Sequence, residues 1–277
     1  MNYVDKFDLN SIPKLNENNT LFSKETNKGT EIFISSKMPQ MESLELNATS
    51  RFILNNIKNN KKISDILESL AEEYPEMDKN ILKNDLINFI KELYDMKYIY
   101  WEKDPFIEST KKVFGKYILM LDNIENIRKN IRIEELMGDD LFVKKLDLSE
   151  QRLEVLSLLK KEIFFSIKKD EEYMLVLRIS NRFSGIWVRI SYINSNFNVY
   201  DNKEIIIESI VHTCKFYKSE YEKKYDVNFG NKIMTYFIKY EDIKLYSSLG
   251  FELEGTIENA IEENNNYKNL YLMSFYL

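Results

Sequence analysis

The sequence predicts two folded modules of different class, an α+β module first and an α/β domain with a mixed, largely antiparallel sheet after it. Three observations predict this. From Thr20 to Leu46 the apolar residues fall in short strand-like runs, and from Asn47 to Leu93 they recur at helical spacing. A polar break, Glu102-Lys103-Asp104-Pro105, follows and carries the last proline of the chain. From Leu141 strand-like and helix-like runs alternate and close on a pair of strands. The modules are placed at 1–104 and 141–277, with 105–140 as a connector. A chain of 277 residues has the length of one large or two ordinary domains. Its 44% hydrophobic and 30% charged residues provide a core and a soluble surface.

In the first module, Thr20–Lys24 and Thr30–Ser36 read as strands around the turn Asn27-Lys28-Gly29, and Met41–Leu46 is a third after Pro39. Asn47 then caps a helix with Phe52, Ile53 and Ile57 on its apolar face. Ser64 opens a second helix with Ile63, Ile66, Leu67, Leu70, Ala71 and Tyr74 on one side, stopped by Pro75. Asp78 caps a third, whose stripe is Leu82, Leu86, Phe89, Ile90 and Leu93, and Tyr98–Trp101 leaves it extended. Three strands followed by three helices make a winged-helix-like module, with no histidine, cysteine or glycine-rich loop.

In the second module, Leu141–Asp147 reads as a strand and Ser149 as the cap of a helix bearing Leu153, Leu156, Leu159, Ile163 and Phe164. Glu172–Ser180 and Gly185–Ile193 are strands rich in β-branched and aromatic residues. A long helix is expected over Asn202–Tyr225, a strand over Lys232–Ile238, and a short helix over Glu241–Ser248 that Gly250 ends. Phe251–Ile257 and Asn269–Leu277 complete a hairpin about Asn264–Asn266.

Composition removes several classes. Acidic residues outnumber basic ones, 45 to 39, which argues against nucleic acid as a partner. No run approaches the roughly 20 apolar residues of a membrane span, and no signal peptide is evident, so a cytoplasmic setting without membrane contact is expected. A single cysteine, Cys214, allows no internal disulfide, and with the single histidine, His212, it makes no metal site. A homodimer is an admissible assembly.

The segment Leu44–Tyr100, with its "LN-x-T" entry to the first helix, its "ISDILESLAEEY" second helix and a long third helix ending in an apolar tail, resembles the PqqD-like leader-peptide recognition domain. The resemblance implies that the leader of a precursor peptide adds as an antiparallel strand to the third strand and lies against the third helix. It points to Ser43, Leu44 and Glu45 on the strand and to Lys83, Leu86, Ile87 and Ile90 on the helix. The same aliphatic residues also read as ordinary core.

The run IKLYSSLGFELEGTIENAIEENNNYKNLYLMSFYL, Ile243–Leu277, resembles the C-terminal end of GNAT-superfamily N-acyltransferases. It is most similar to the branch that acetylates protein N-termini, through "LY-x-x-LGF-x-x-EG" and the closing "Y-L-M-S" strand. The resemblance implies a GNAT-like domain that transfers an acyl group from acyl-CoA or acetyl-CoA to an amine, with no metal. Tyr246 would protonate the departing thiolate. Ile193, Asn194, Val199, Asn202, Lys203 and Lys239 would hold the cofactor. Ile186, Trp187 and Val188 would line the acyl group. Asn194–Glu204, where the family has a glycine-containing diphosphate loop, contains no glycine and brings Asp201 and Glu204 instead. Glu172, Glu252 and Glu254 are the carboxylates available as a base, and nothing selects among them. Joined, the two resemblances imply a leader-guided N-acyltransferase acting on a precursor peptide. A peptide-binding scaffold that has lost CoA, and an ordinary N-acetyltransferase with an unrelated appendage, are the other two readings.

Overall fold

The computed structural model describes residues 7–16, 20–27, 29–34, 42–132, 135–136, 161–182, 185–225, 229–263 and 266–277. The chain divides into two compact units, Asn2–Ser109 and Thr110–Leu277.

In the first unit, β2 (Thr20–Thr26), β3 (Gly29–Ile34) and β4 (Glu42–Leu46) form an antiparallel sheet in the order β2-β3-β4. The β2–β3 turn depends on Gly29, which adopts φ +145°. A Cβ there would stand 2.4 Å from the carbonyl oxygen of Leu46, so only glycine lets β4 come this close. Three helices follow: α1 (Ala48–Lys58), α2 (Ile63–Glu73) and α3 (Lys79–Asp95). Asn47 caps α1 by accepting from Ser50 N at 2.8 Å, and Asp78 caps α3 by accepting from Asn80 N at 2.7 Å. Their apolar stripes meet in one core that includes Ile57, Ile66, Leu86, Ile90 and Leu93. A short antiparallel pair, β1 (Lys14–Leu15) with β5 (Ile99–Tyr100), ties the two ends of the unit together. Residues 105–109, expected in a connector, form the helix α4 (Pro105–Ser109) within this unit. Asp104 caps it through Phe106 N at 2.9 Å, and Phe106 packs against Phe7, Tyr94 and Trp101.

The second unit is built on one eight-stranded sheet. Its strands are β6 (Lys112–Phe114), β7 (Tyr117–Asp122), β8 (Glu162–Lys169), β9 (Glu172–Arg182), β10 (Gly185–Ile193), β11 (Lys232–Phe237), β12 (Glu252–Glu263) and β13 (Asn266–Tyr276). The spatial order is β12-β13-β11-β10-β9-β8-β7-β6. All neighbours are antiparallel except β10 and β11. That parallel pair needs a long crossover, supplied by the 23-residue helix α6 (Lys203–Tyr225). Its buried residues Ile206, Ile210, Cys214 and Tyr217 cover one face of the sheet against Leu175, Leu177, Ile179, Ile186 and Val188. The opposite face packs Phe164, Tyr173 and Val176 against Ile124, Ile127, Ile131 and Leu136, the first two on α5 (Ile124–Arg128). The mixed, largely antiparallel sheet is as expected.

Two expectations are corrected here. Ile163 and Phe164 do not end a helix begun at Ser149 but lie in β8, because GluIlePhePheSerIle satisfies a doubly covered strand as well as a helical stripe. Residues 112–122 are not connector but supply β6 and β7 of the sheet. The expected strand Leu141–Asp147 and the start of the expected helix at Ser149 lie outside the described residues.

Gly29→Ala should destabilise the first unit by about 2 kcal/mol through strain and the clash with Leu46. Urea unfolding of the full chain checks this: the transition of the first unit should move to lower urea while that of the second stays.

Candidate active site

The parallel strands β10 and β11 stay together only briefly. Their pairing covers Ile186 with Ile233 and Trp187 with Met234 and then stops. Beyond it β10 continues paired to β9 alone, as far as Ile193 with Leu175, and β11 continues paired to β13 alone, as far as Phe237 with Tyr271. The two strands therefore part, leaving facing backbone edges that no strand pairs among the described residues. Against β9 the register of β10 shifts between Ile190 and Tyr192, which makes Ser191 the extra residue of a bulge.

Tyr246 enters this opening from the helix α7 (Tyr240–Ser248). Its phenol oxygen accepts the N–H of Ile190 at 2.9 Å, on the edge that β11 has left. The LYSSLGF run explains the position. Leu249 and Phe251 are buried, and Gly250 at φ +89° closes the helix between them, with Phe251 N donating back to Tyr246 O at 3.0 Å. The ring of Tyr246 stacks on Phe237 at 5.1 Å and meets the edge of Phe251 at 5.3 Å. Burial pushes the phenol above its ordinary pKa, opposed by the Ile190 N–H, the Arg189 charge and the neighbouring Thr235 hydroxyl. The group is thus a neutral O–H at neutral pH, able to donate a proton. One buried hydroxyl near the opening, Ser191 Oγ, has no partner of hydrogen-bond geometry among the described residues, while the Thr235 hydroxyl neighbours the Tyr246 phenol.

The loop from β10 to α6 is held by its own asparagines. Asn194 is buried, donating from Nδ2 to Glu172 Oε1 and Tyr173 O, each at 3.0 Å, while its Oδ1 accepts Asn196 N at 2.9 Å. Asn198 Oδ1 accepts Tyr200 N at 3.0 Å and Asp201 N at 3.4 Å, and its Nδ2 donates to Asp201 Oδ2 at 2.7 Å. Asn202 Nδ2 donates to Asn198 O at 2.7 Å. Phe197 N and Asn202 N bond to the carbonyls of Asn194 and Val199. Val199 is buried in the core, Ile193 is exposed at the end of β10, and Lys203 is exposed at the start of α6. Lys239 is exposed at the N-cap of α7 without a side-chain cap bond.

The sheet face opposite α6 carries charge where sequence analysis named none. Arg178 and Glu162 form a buried two-pronged pair, Nε to Oε2 at 2.9 Å and Nη2 to Oε1 at 2.6 Å. Arg189 lies opposite Arg178 on β10 and sits over the Tyr236 ring at 5.9 Å; Trp187 meets that ring edge-on at 5.6 Å. Arg178, Arg189, Trp187 and Tyr236, with Ser180, Val188 and Thr235, line a half-open pocket where the strands begin to part. Further along the face, Asp122 accepts from Ser166 at 2.8 Å and Tyr173 at 2.9 Å and pairs with Lys168 at 3.1 Å. The signal for the first of these groups was a charge inside an apolar strand, Arg178 in EYMLVLRIS, which requires a buried partner. Of the carboxylates considered as base, Glu172 is held by Asn194, Glu254 by Lys232 at 2.9 Å and by Ser274, and Glu252 is exposed.

In the first unit, β4 is an edge strand of its sheet and holds Ser43, Leu44 and Glu45. Leu44 is buried and Glu45 exposed. Leu86, Ile87 and Ile90 on α3 are at 1%, 0% and 0% exposure, so their side chains belong to the core of the unit rather than to its surface. Lys83 is half-buried beside them. Among the described residues no helix is long and apolar enough to cross a membrane, and no group of three His, Cys, Asp or Glu could hold a metal ion.

Residues 38–99 match the family model "Coenzyme PQQ synthesis protein D (PqqD)". No curated protein matches the chain. Among solved structures, a probable acetyltransferase from Staphylococcus epidermidis is similar at 14% identity and a TM-score of 0.42, over 58% of this chain and 98% of that one. The ribosomal-protein-S5-alanine acetyltransferase from Vibrio fischeri is similar at 14% identity and a TM-score of 0.40, over 60% and 96%.

Removing one member of the buried pair, by Arg178→Met or Glu162→Met, should cost about 3–5 kcal/mol, whereas the double replacement should recover most of that loss. Urea unfolding of the three variants forms the cycle that checks it; additive losses would show that the pair is not coupled.

Proposed function

We propose that the chain is a leader-guided N-acyltransferase: the first unit takes the leader of a precursor peptide as an added strand on β4, and the second acylates an amine of that peptide from an acyl-CoA or acetyl-CoA thioester. The observation that carries the catalytic half is the parting of β10 and β11 with the neutral phenol of Tyr246 set into the opening. Amide formation from a thioester needs little else at that point. The amine nitrogen attacks the thioester carbonyl carbon, the C–S bond breaks, and the sulfur takes a proton while the nitrogen loses one. A buried, un-ionised O–H beside the sulfur supplies the first proton. The peptide half is supported by the PqqD model match over 38–99 and by the edge of β4 that no strand pairs among the described residues. Backbone bonds to that edge give affinity, and Glu45, exposed on the strand, is placed to contribute selectivity. The buried Leu86, Ile87 and Ile90 hold α3 in place behind it.

The self-bonded loop 194–202 is the observation that favours a second reading, a peptide-binding scaffold with no acyl donor. Calorimetric titration with acetyl-CoA and with a long-chain acyl-CoA separates the two. Micromolar binding of either supports the acyltransferase, and Tyr246→Phe should then slow thiol release by about 10²-fold or more while sparing binding. Absence of binding by both would leave the scaffold. On the peptide side, hydrogen exchange at the amides of 42–46 should slow when a leader binds, and binding that leaves them unchanged would remove β4 as the docking edge.

A further inference from the structure

Building on the acyltransferase reading, we propose that this site recognises its donor through the acylated pantetheine arm and not through the nucleotide diphosphate, so that acyl thioesters of pantetheine serve as well as those of CoA. A bound diphosphate would need free backbone amides in the loop between β10 and α6. Over Asn194–Asn202, six of the nine backbone N–H groups, those of Asn194, Asn196, Phe197, Tyr200, Asp201 and Asn202, are already bonded within the protein. The side-chain oxygen of Asn198 already accepts from Tyr200 N and Asp201 N. To admit a diphosphate, the loop would have to give up those bonds and the Asn198 to Asp201 bond with them, exchanging existing contacts for new ones at little gain.

Charge points the same way. A loop that cradles phosphate concentrates free N–H groups and positive charge at a helix N-terminus. Here the entry to α6 carries Asp201 and Glu204 with the single Lys203 between them in sequence, a net negative set. The missing glycines agree, since Asn198 and Val199 carry side chains where a backbone would have to approach phosphate closely.

The opening between β10 and β11 offers what the loop does not. Past Trp187 and Met234 each strand keeps a backbone edge that no strand pairs among the described residues. The hydroxyl of Ser191 is buried near it with no partner of hydrogen-bond geometry among the described residues. A chain with two amide groups, ending in a thioester near Tyr246, is complementary to two such edges in the way an added strand is. The pantetheine arm has that composition, and the adenosine and phosphates of CoA add nothing the site is built to hold.

The test compares three probes with the full chain by calorimetry: acetyl-CoA, S-acetyl-pantetheine and adenosine 3′,5′-bisphosphate. The expected result is dissociation constants for the two thioesters within about 3-fold, no binding of the bisphosphate, and a Lys203→Ala variant that binds acetyl-CoA as the parent does. Tighter binding of acetyl-CoA by 10-fold or more, or a comparable loss of it alone in Lys203→Ala, would overturn the inference while leaving the acyltransferase intact. Failure of both thioesters to bind would remove the acyltransferase reading and this inference with it.

Discussion

The architecture of the second unit depends on one limited contact, the two residue pairs that join β10 to β11 in parallel. A parallel pair inside an otherwise antiparallel sheet forces the chain to leave one end of the sheet and return at the other, which is why a helix of 23 residues lies between the two strands. Once returned, β11 is paired on its far side by β13 and not by β12, so the terminal hairpin folds back to fill the gap and leaves β12 at the edge. If the parallel contact ran the whole length of the strands, their edges would satisfy each other and the sheet would be closed. Because it ends after Trp187 and Met234, the sheet has an internal edge, and buried polar backbone at such an edge must find a partner. Ile190 N finds it in the phenol of Tyr246. The feature that looks catalytic is therefore also the local solution to a hydrogen-bonding deficit created by the fold.

Much of this was legible in the sequence, and the reasons for what was not are specific. The LYSSLGF run was legible through the resemblance it carries; in the structure Gly250 at positive φ lies between the buried Leu249 and Phe251 and so holds Tyr246 in place. The strands β9 and β10 and the helix α6 were visible through period and β-branched content. β8 was misread because a strand covered on both faces loses its alternation, and its apolar residues then fit a helical stripe extended from Ser149. β7 falls within the expected connector for a related reason: Tyr117–Leu121 is short, and its partner across the sheet, β8, reads as part of a helix in sequence. The strand separation itself has no sequence signature, since it consists in pairs that are not made.

The site residues divide along the same line. Tyr246 could be named only through the resemblance carried by the run around it. Asn198 could not, because an asparagine in an Asn-rich loop reads as turn chemistry, and only the bonds it makes to Tyr200 N, Asp201 and Asn202 give it weight. On α3 the aliphatic stripe supported both a core and a peptide-contact reading. Exposure near zero at Ile87 and Ile90 assigns them to the core, since a side chain satisfied by its own unit has no surface left for a ligand. A free edge, unlike an apolar stripe, is legible only in the sheet order, where β4 stands last.

A transferase whose donor is held by the arm alone and whose acceptor is held at a distance distributes its binding differently from one that grips both substrates at the reacting centre. Interactions made equally in ground and transition states lower KM without raising kcat, so contacts to a nucleotide far from the carbon under attack are dispensable where the donor is abundant. The acceptor amine is the harder partner to secure, being one group on a flexible peptide. A strand-like grip on its leader replaces the second encounter with an intramolecular one, at an effective concentration in the millimolar range for a short flexible tether. Under that condition the active site needs only an opening that admits two extended chains and a proton donor at their meeting point. The parted strands and Tyr246 meet that minimum, and a loop 194–202 folded on its own asparagines is consistent with a site that asks no more of it.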